Sequence, residues 1–159
     1  VEGMALERDS EEVYRVMAQL NNKGAELLQT IHAHACTDIT GFGLLGHLLG
    51  MVRGSHVSAM ISADSVPLLE NAYSLAASGI VPGGTKNNQR FTNPFTKYAK
   101  NTSATTRLLL NDAQTSGGLL VSLDEKNAAI FIESMEKEGN PVTLIGEIIP
   151  ECEPRILVR

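Results

Sequence analysis

The sequence predicts an α+β (α/β) fold, a single domain holding a mixed sheet of about four to five strands and about five to six helices. Short aliphatic and β-branched runs alternate, irregularly, with segments of helical periodicity. The 159 residues suffice for one well-buried domain. Hydrophobic residues make up 43% of the chain but aromatics only 4%, with no Trp, so Leu, Ile, Val, Ala and Met have to build the core.

Each element follows from a local signal. Asp9 and Glu12 have capping-box spacing, and Val13, Val16, Met17, Leu20, Leu27 and Leu28 recur at helical intervals, predicting a long helix over 10–30. A strand is predicted over 33–39, then a glycine turn, then an apolar helix over 42–52 with leucines on several sides. A second strand covers 57–61. Asp64 or Ser65 caps the next helix, with Pro67 in its first turn and Gly79 at its end. Pro82, Gly83, Gly84 and Pro94 predict a polar loop over 81–100. A short helix over 103–111, a strand over 118–123 and a helix over 124–138 ended by Gly139 follow. Strands over 142–149 and 156–158 close the chain. Residues 1–30 are thus expected as a leading helix lying across an α/β core of 31–159, without internal repeat or low-complexity linker.

Thirteen Lys and Arg against eighteen Asp and Glu give a net charge of −5, which argues against a general nucleic-acid binder. Cys36 and Cys152 are too few and too far apart for a disulfide framework, so a reduced, cytoplasmic setting is expected. No apolar run approaches the ~20 residues of a membrane span, and no secretory signal opens the chain. A start at Val1 reads as a fragment or a processed product.

The stretch from Asp38 to His47, with Thr40, Gly41, Gly43 and Gly46, is the most informative. Glycines where a strand hands over to a helix let backbone N–H groups approach an anion. A carboxylate beside such a cradle repels phosphate by roughly 4 kcal/mol per charge pair at about 4 Å and an effective dielectric of about 20. A divalent cation between them removes that conflict, so the stretch points to a metal–phosphate site. Two other readings stand beside it. The glycines spell the dinucleotide fingerprint G-x-G-x-x-G, although Thr37, Asp38 and Thr40 are polar where that fold brings an apolar strand. They also suit a turn that packs a helix and binds nothing.

Further along, Thr115, Ser116, Gly117 and Gly118 offer hydroxyls and unhindered N–H groups as an anion nest, or else an ordinary helix-to-strand turn. His32, His34, Cys36 and Asp38 alternate and share one strand face, but four ligands on a straight strand cannot surround one ion tetrahedrally. His47 inside an apolar helix reads as a hydrogen-bonded core histidine. No acid occurs between Asn71 and Asn111, while Lys86, Arg90, Lys97, Lys100 and Arg107 do, which suits either an anion-attracting field or a solvated loop.

Together, three blocks resemble the selenophosphate synthetase (selenide, water dikinase) family. They are Ala35 to His47, Gly79 to Thr85 with Asn88, and Asp112 to Leu120; Ile145 to Ile148 resembles the penultimate strand of that family. The third block is shared with the wider aminoimidazole-ribonucleotide-synthetase-like superfamily, and Ala113 stands where its motif usually has proline. The resemblance implies the C-terminal domain of an enzyme that turns ATP, selenide and water into selenophosphate, AMP and orthophosphate. It implies a homodimer whose N-terminal half, absent from this chain, carries the catalytic Cys or selenocysteine, an essential Lys and further aspartates. Asp38 matches the one magnesium-binding Asp of the C-terminal half, and Cys36 does not match the catalytic cysteine. Magnesium is then the expected cofactor, with Thr40, Gly41, Gly43, Thr115, Ser116, Gly117 and Gly118 near the phosphates and no catalytic residue in this chain.

Overall fold

The computed structural model describes residues 7–159, the first three of them by backbone alone, so the Asp9 half of the expected capping box lies outside the described side chains. Its centre is a four-stranded mixed sheet made by β2 (Ser58–Ile61), β3 (Thr96–Tyr98), β5 (Gly146–Ile149) and β6 (Ile156–Val158), in the order β3-β6-β2-β5. β6 runs parallel to both β2 and β3, whereas β5 is antiparallel to β2. β1 (Ala35–Asp38) and β4 (Leu119–Ser122) form a separate antiparallel pair. The α+β expectation and the mixed sheet hold, with the strands divided between two sheets.

α3 (Gly43–Gly54) is the buried centre of the fold. Leu45, Leu48, Leu49 and Val52 recur at i, i+3, i+4 and i+7, and each is at most 3% exposed. They pack with Leu110 and with Ala59, Ile61, Ile156 and Val158 of the sheet. Each such side chain contributes about 1.5–3 kcal/mol of burial, which makes α3 a fixed base for the turn that precedes it.

Seven α-helices occur among the described residues. The expected long leading helix is broken into α1 (Glu7–Ala18) and α2 (Asn22–Leu27). Asn21 and Asn22 are weak helix formers, and Leu20 between the two helices is 74% exposed, so no burial holds a continuous helix together there. The expected helix after Asp64 is instead a 3-10 turn over Ala63–Ser65, followed by the short α4 (Ala72–Ala77). α6 (Ala104–Leu109) and α7 (Glu125–Lys137) form as predicted, capped by Ser103 and Asp124, whose side chains accept from the N–H of Thr106 and Asn127.

The largest departure is at 81–100. In place of a loop the chain forms α5 (Gly83–Thr92), a 3-10 turn over Asn93–Phe95 and β3. Pro82 precedes the helix and Pro94 lies inside the 3-10 turn, so both prolines mark starts. The inward face of α5 is polar: Thr85 and Thr92 are both fully buried, seven residues apart. A hydrophobic period cannot reveal such a helix.

Candidate metal and phosphate site

Antiparallel pairing of β1 with β4 brings together the two turns that the sequence offers separately. Asp38 lies opposite Leu119. Beyond it, the Ile39 N–H donates to Gly118 O at 2.8 Å, the Gly117 N–H donates to Ile39 O at 2.9 Å, and the Gln114 N–H donates to Thr40 O at 3.2 Å. The 38–41 segment and the 114–118 segment are therefore laced into one unit. A β-carbon at Gly117 would stand 3.0 Å from Ile39 O, so the lacing also needs a glycine-sized residue there.

α3 and α5 hold this unit in place. The Gly43 N–H donates back to Thr40 O at 2.9 Å. Gly43 has φ +70°, and a β-carbon on it would stand 2.7 Å from Asp112 O, so no L side chain fits the turn. Asn88 on α5 donates through Nδ2 to Gly41 O at 2.8 Å and to Asn111 O at 3.2 Å. The Thr40 N–H donates to His47 Nε2 at 3.0 Å, and the Phe42 ring meets the His47 ring edge-on with centroids 5.7 Å apart. His47 is thus the hydrogen-bonded histidine expected from the sequence.

Two aspartates lie in these blocks and their surroundings separate them. Both oxygens of Asp112 are engaged: Oδ1 accepts from Thr85 Oγ1 at 2.7 Å and Oδ2 from Gln114 Nε2 at 2.7 Å. Asp38 is exposed, and its carboxylate has no hydrogen bond or ion pair among the described residues. Oxygen ligands suit magnesium, and among the described residues no group neutralises the Asp38 carboxylate. The described residues contain no cluster of three or more metal-ligating side chains. Thr115 is exposed and Ser116 half-buried, and neither hydroxyl is used in capping among the described residues.

The face carrying His32, His34, Cys36 and Asp38 is open to solvent, with the two histidine rings edge-to-face at 6.0 Å. Although Cys36 is exposed, partial desolvation by its neighbours, and then the Asp38 carboxylate, push its thiol above the ordinary value. An open hollow of about 530 Å³ bordered by Leu28, His32 and Cys36 lies at the start of β1 and includes neither Asp38 nor the glycine turns. None of the five cations between Lys86 and Arg107 forms an ion pair among the described residues. Arg107 is nonetheless structural, lying 4.9 Å over the Tyr98 ring and donating through Nε to Thr102 O at 3.2 Å.

The dinucleotide reading fails on topology. That fold needs the strands before and after the glycine helix side by side in a parallel sheet, but β1 and β2 belong to different sheets and β1 pairs antiparallel with β4.

Residues 4–159 match the family described as AIR synthase related protein, C-terminal domain. The chain belongs to that family. Curated relatives of this AIR synthase-related domain are named selenide, water dikinase. That of Aliarcobacter butzleri is 35% identical over 145 residues, covering 91% of this chain and 42% of the relative. That of Pelobacter propionicus is 38% identical over 157 residues, covering 98% of this chain and 45% of the relative. The chain thus spans less than half the length of these curated relatives, and their name agrees with the resemblance carried by the three blocks. A crystal structure of thiamine-monophosphate kinase from Stenotrophomonas maltophilia aligns with 82% of this chain and 32% of its own, at 19% identity and a TM-score of 0.47.

Within this AIR synthase-related domain, one group of residues had no role in the sequence reading. Asn111, fully buried, accepts at Oδ1 from Thr92 Oγ1 at 2.6 Å and donates through Nδ2 to Arg107 O at 2.8 Å and Tyr98 Oη at 3.2 Å. Burial pushes the Tyr98 hydroxyl above its ordinary value, opposed by the Asn111 hydrogen bond and by Arg107. The hub joins α5, β3 and α6 directly behind Asp112 and Asn88. Its only sequence signal is the spacing of Thr85, Asn88 and Thr92 on one helical face.

Proposed function

We propose that this chain is the C-terminal half of a selenophosphate synthetase, the enzyme that makes selenophosphate, AMP and orthophosphate from ATP, selenide and water. What carries the reading is a carboxylate without a partner among the described residues at the end of β1, in a chain alike along nearly its whole length to selenide, water dikinases. Asp38 provides one oxygen ligand to magnesium held together with ATP. That ion, when bound, supplies charge neutralisation and alignment for phosphoryl transfer.

The residues of this chain orient. Buried Ile39 and the ladder to Gly117 and Gly118 fix the main chain that carries Asp38, so its carboxylate needs little reorganisation on binding. Thr40, Gly41 and Gly43 on one side and Thr115, Ser116, Gly117 and Gly118 on the other border the phosphates. The nucleophilic Cys or selenocysteine, the essential Lys and the other metal-binding aspartates belong to an N-terminal half. In this reading residues 1–30 lead into an α/β core of 31–159, and the intact enzyme is a cytoplasmic homodimer.

Phosphorus NMR of the full-length protein with ATP and selenide tests this reading. Selenophosphate, AMP and orthophosphate are expected, with ATP consumption dependent on selenide. ADP as the product, or ATP use indifferent to selenide, contradicts it. The isolated chain is expected to turn over no ATP, and selenide-dependent AMP formation by it alone would show that the chemistry resides here.

A further inference from the structure

Two contacts at the glycine turn fix the direction of a hydroxyl proton. The Thr40 N–H donates to His47 Nε2 at 3.0 Å, so that nitrogen presents its lone pair to the turn. Thr40 Oγ1 lies 3.1 Å from the same nitrogen. Oxygen and nitrogen lone pairs facing each other at that distance repel, so the hydroxyl turns its proton to Nε2 as a second donor. Its own lone pairs then point away from the ring. Ile39, 7% exposed and paired to Gly118, is the one residue between Asp38 and Thr40, so the two side chains stand two residues apart on a backbone held by that bond.

We infer that Thr40, oriented by His47, is a hydrogen-bond acceptor in the Asp38 site and holds a water molecule of a hydrated divalent cation. A bare phosphate oxygen brings no proton and meets only lone pairs there. A cation-bound water brings two protons, and magnesium keeps several such waters when a protein binds it through few carboxylates. Thr40 then meets the hydrated cation beside the phosphates that the turn borders, and His47 is a positioning residue that acts through Thr40. This inference rests on the proposed Asp38 metal site.

The test is a titration of the full-length protein with Mn²⁺ in the absence of nucleotide, read by water-proton relaxation, beside a titration with inorganic phosphate. Thr40→Val removes the hydroxyl and keeps the backbone bond to His47. Loss of one hydrogen bond of ordinary net strength is expected to weaken Mn²⁺ binding about 2- to 10-fold and leave phosphate binding unchanged. Thr40→Ser is expected to bind Mn²⁺ as the wild type does. His47→Leu is expected to weaken Mn²⁺ and strengthen phosphate, because the freed hydroxyl can then donate; His47→Gln restores an acceptor and is expected to reverse both changes. If Asp38→Asn weakens Mn²⁺ binding but Thr40→Val does not, or if Thr40→Val weakens phosphate instead, the role of Thr40 is overturned while the Asp38 site stands. If Asp38→Asn also leaves Mn²⁺ binding unchanged, the metal reading itself fails and this inference with it.

Discussion

The side-chain amide of Asn88 donates to Gly41 O at 2.8 Å, so a helix built on a polar inner face holds the turn that follows Asp38. The same Nδ2 reaches Asn111 O at 3.2 Å, so Asn88 ties the first block to the residue immediately before the third. Asn88→Ala leaves both carbonyls without this partner and is expected to cost about 1–3 kcal/mol. Urea unfolding monitored by circular dichroism measures it, as a lowered midpoint with an unchanged slope.

Asn111 and Thr92 form a sharper pair, because both are fully buried and joined at 2.6 Å. Thr92→Val leaves Asn111 Oδ1 without its Thr92 partner, and Asn111→Leu leaves the Thr92 hydroxyl the longer bond to Gln89 O at 3.4 Å, so the first is expected to cost about 1–3 kcal/mol and the second loses that contact together with the Asn111 Nδ2 bonds. The double variant is expected to be less destabilised than the sum of the two, since the same bond is lost in both single variants. A strictly additive double-mutant cycle contradicts the direct coupling.

The glycines of the 41–43 turn separate fold from site. Gly43→Ala places a β-carbon 2.7 Å from Asp112 O at φ +70° and is expected to destabilise by about 2 kcal/mol or more. A β-carbon at Gly41 meets nothing within 4 Å, so Gly41→Ala is expected to change stability by less than about 1 kcal/mol. Any loss of magnesium–ATP affinity in Gly41→Ala of the full-length protein is then a loss at the site. Thermal melts and nucleotide titrations of the two variants check both statements.

What was legible in the sequence follows from the kind of signal each element emits. The leucine spacing of α3 and the Ser103, Asp124 and Gly139 boundaries announce themselves locally, through hydrophobic period and capping chemistry. α5 does not, because Thr85, Asn88 and Thr92 are inward-facing polar residues, which a hydrophobic pattern reads as solvent-facing. Asp38 was legible as a carboxylate beside glycines. That Asp112 is consumed by Thr85 and Gln114 while Asp38 has no partner among the described residues depends on contacts across the fold, which no local pattern contains.

Cys36 provides a pH-dependent check on the face that carries Asp38. Its thiol is raised first by burial and then by Asp38, so alkylation of Cys36, followed by mass spectrometry, is expected to show a midpoint above the ordinary value of 9.0. Asp38→Asn is expected to lower that midpoint without restoring the ordinary value, because burial remains. A raised folded-state value favours the protonated thiol. This contribution to stability is therefore full below the ordinary value and is lost as pH rises through the folded-state one. A midpoint unmoved by Asp38→Asn contradicts the electrostatic contact.

The central claim is that Asp38 supplies a magnesium ligand to selenophosphate synthesis. Its most direct test is selenide-dependent AMP formation by the full-length protein carrying Asp38→Asn, measured across a magnesium titration with folding checked by circular dichroism. An intact fold and at least about a hundredfold loss of turnover at limiting magnesium are expected, the loss of transition-state charge stabilisation being worth about 3 kcal/mol. Wild-type turnover by a folded Asp38→Asn protein at limiting magnesium would contradict it.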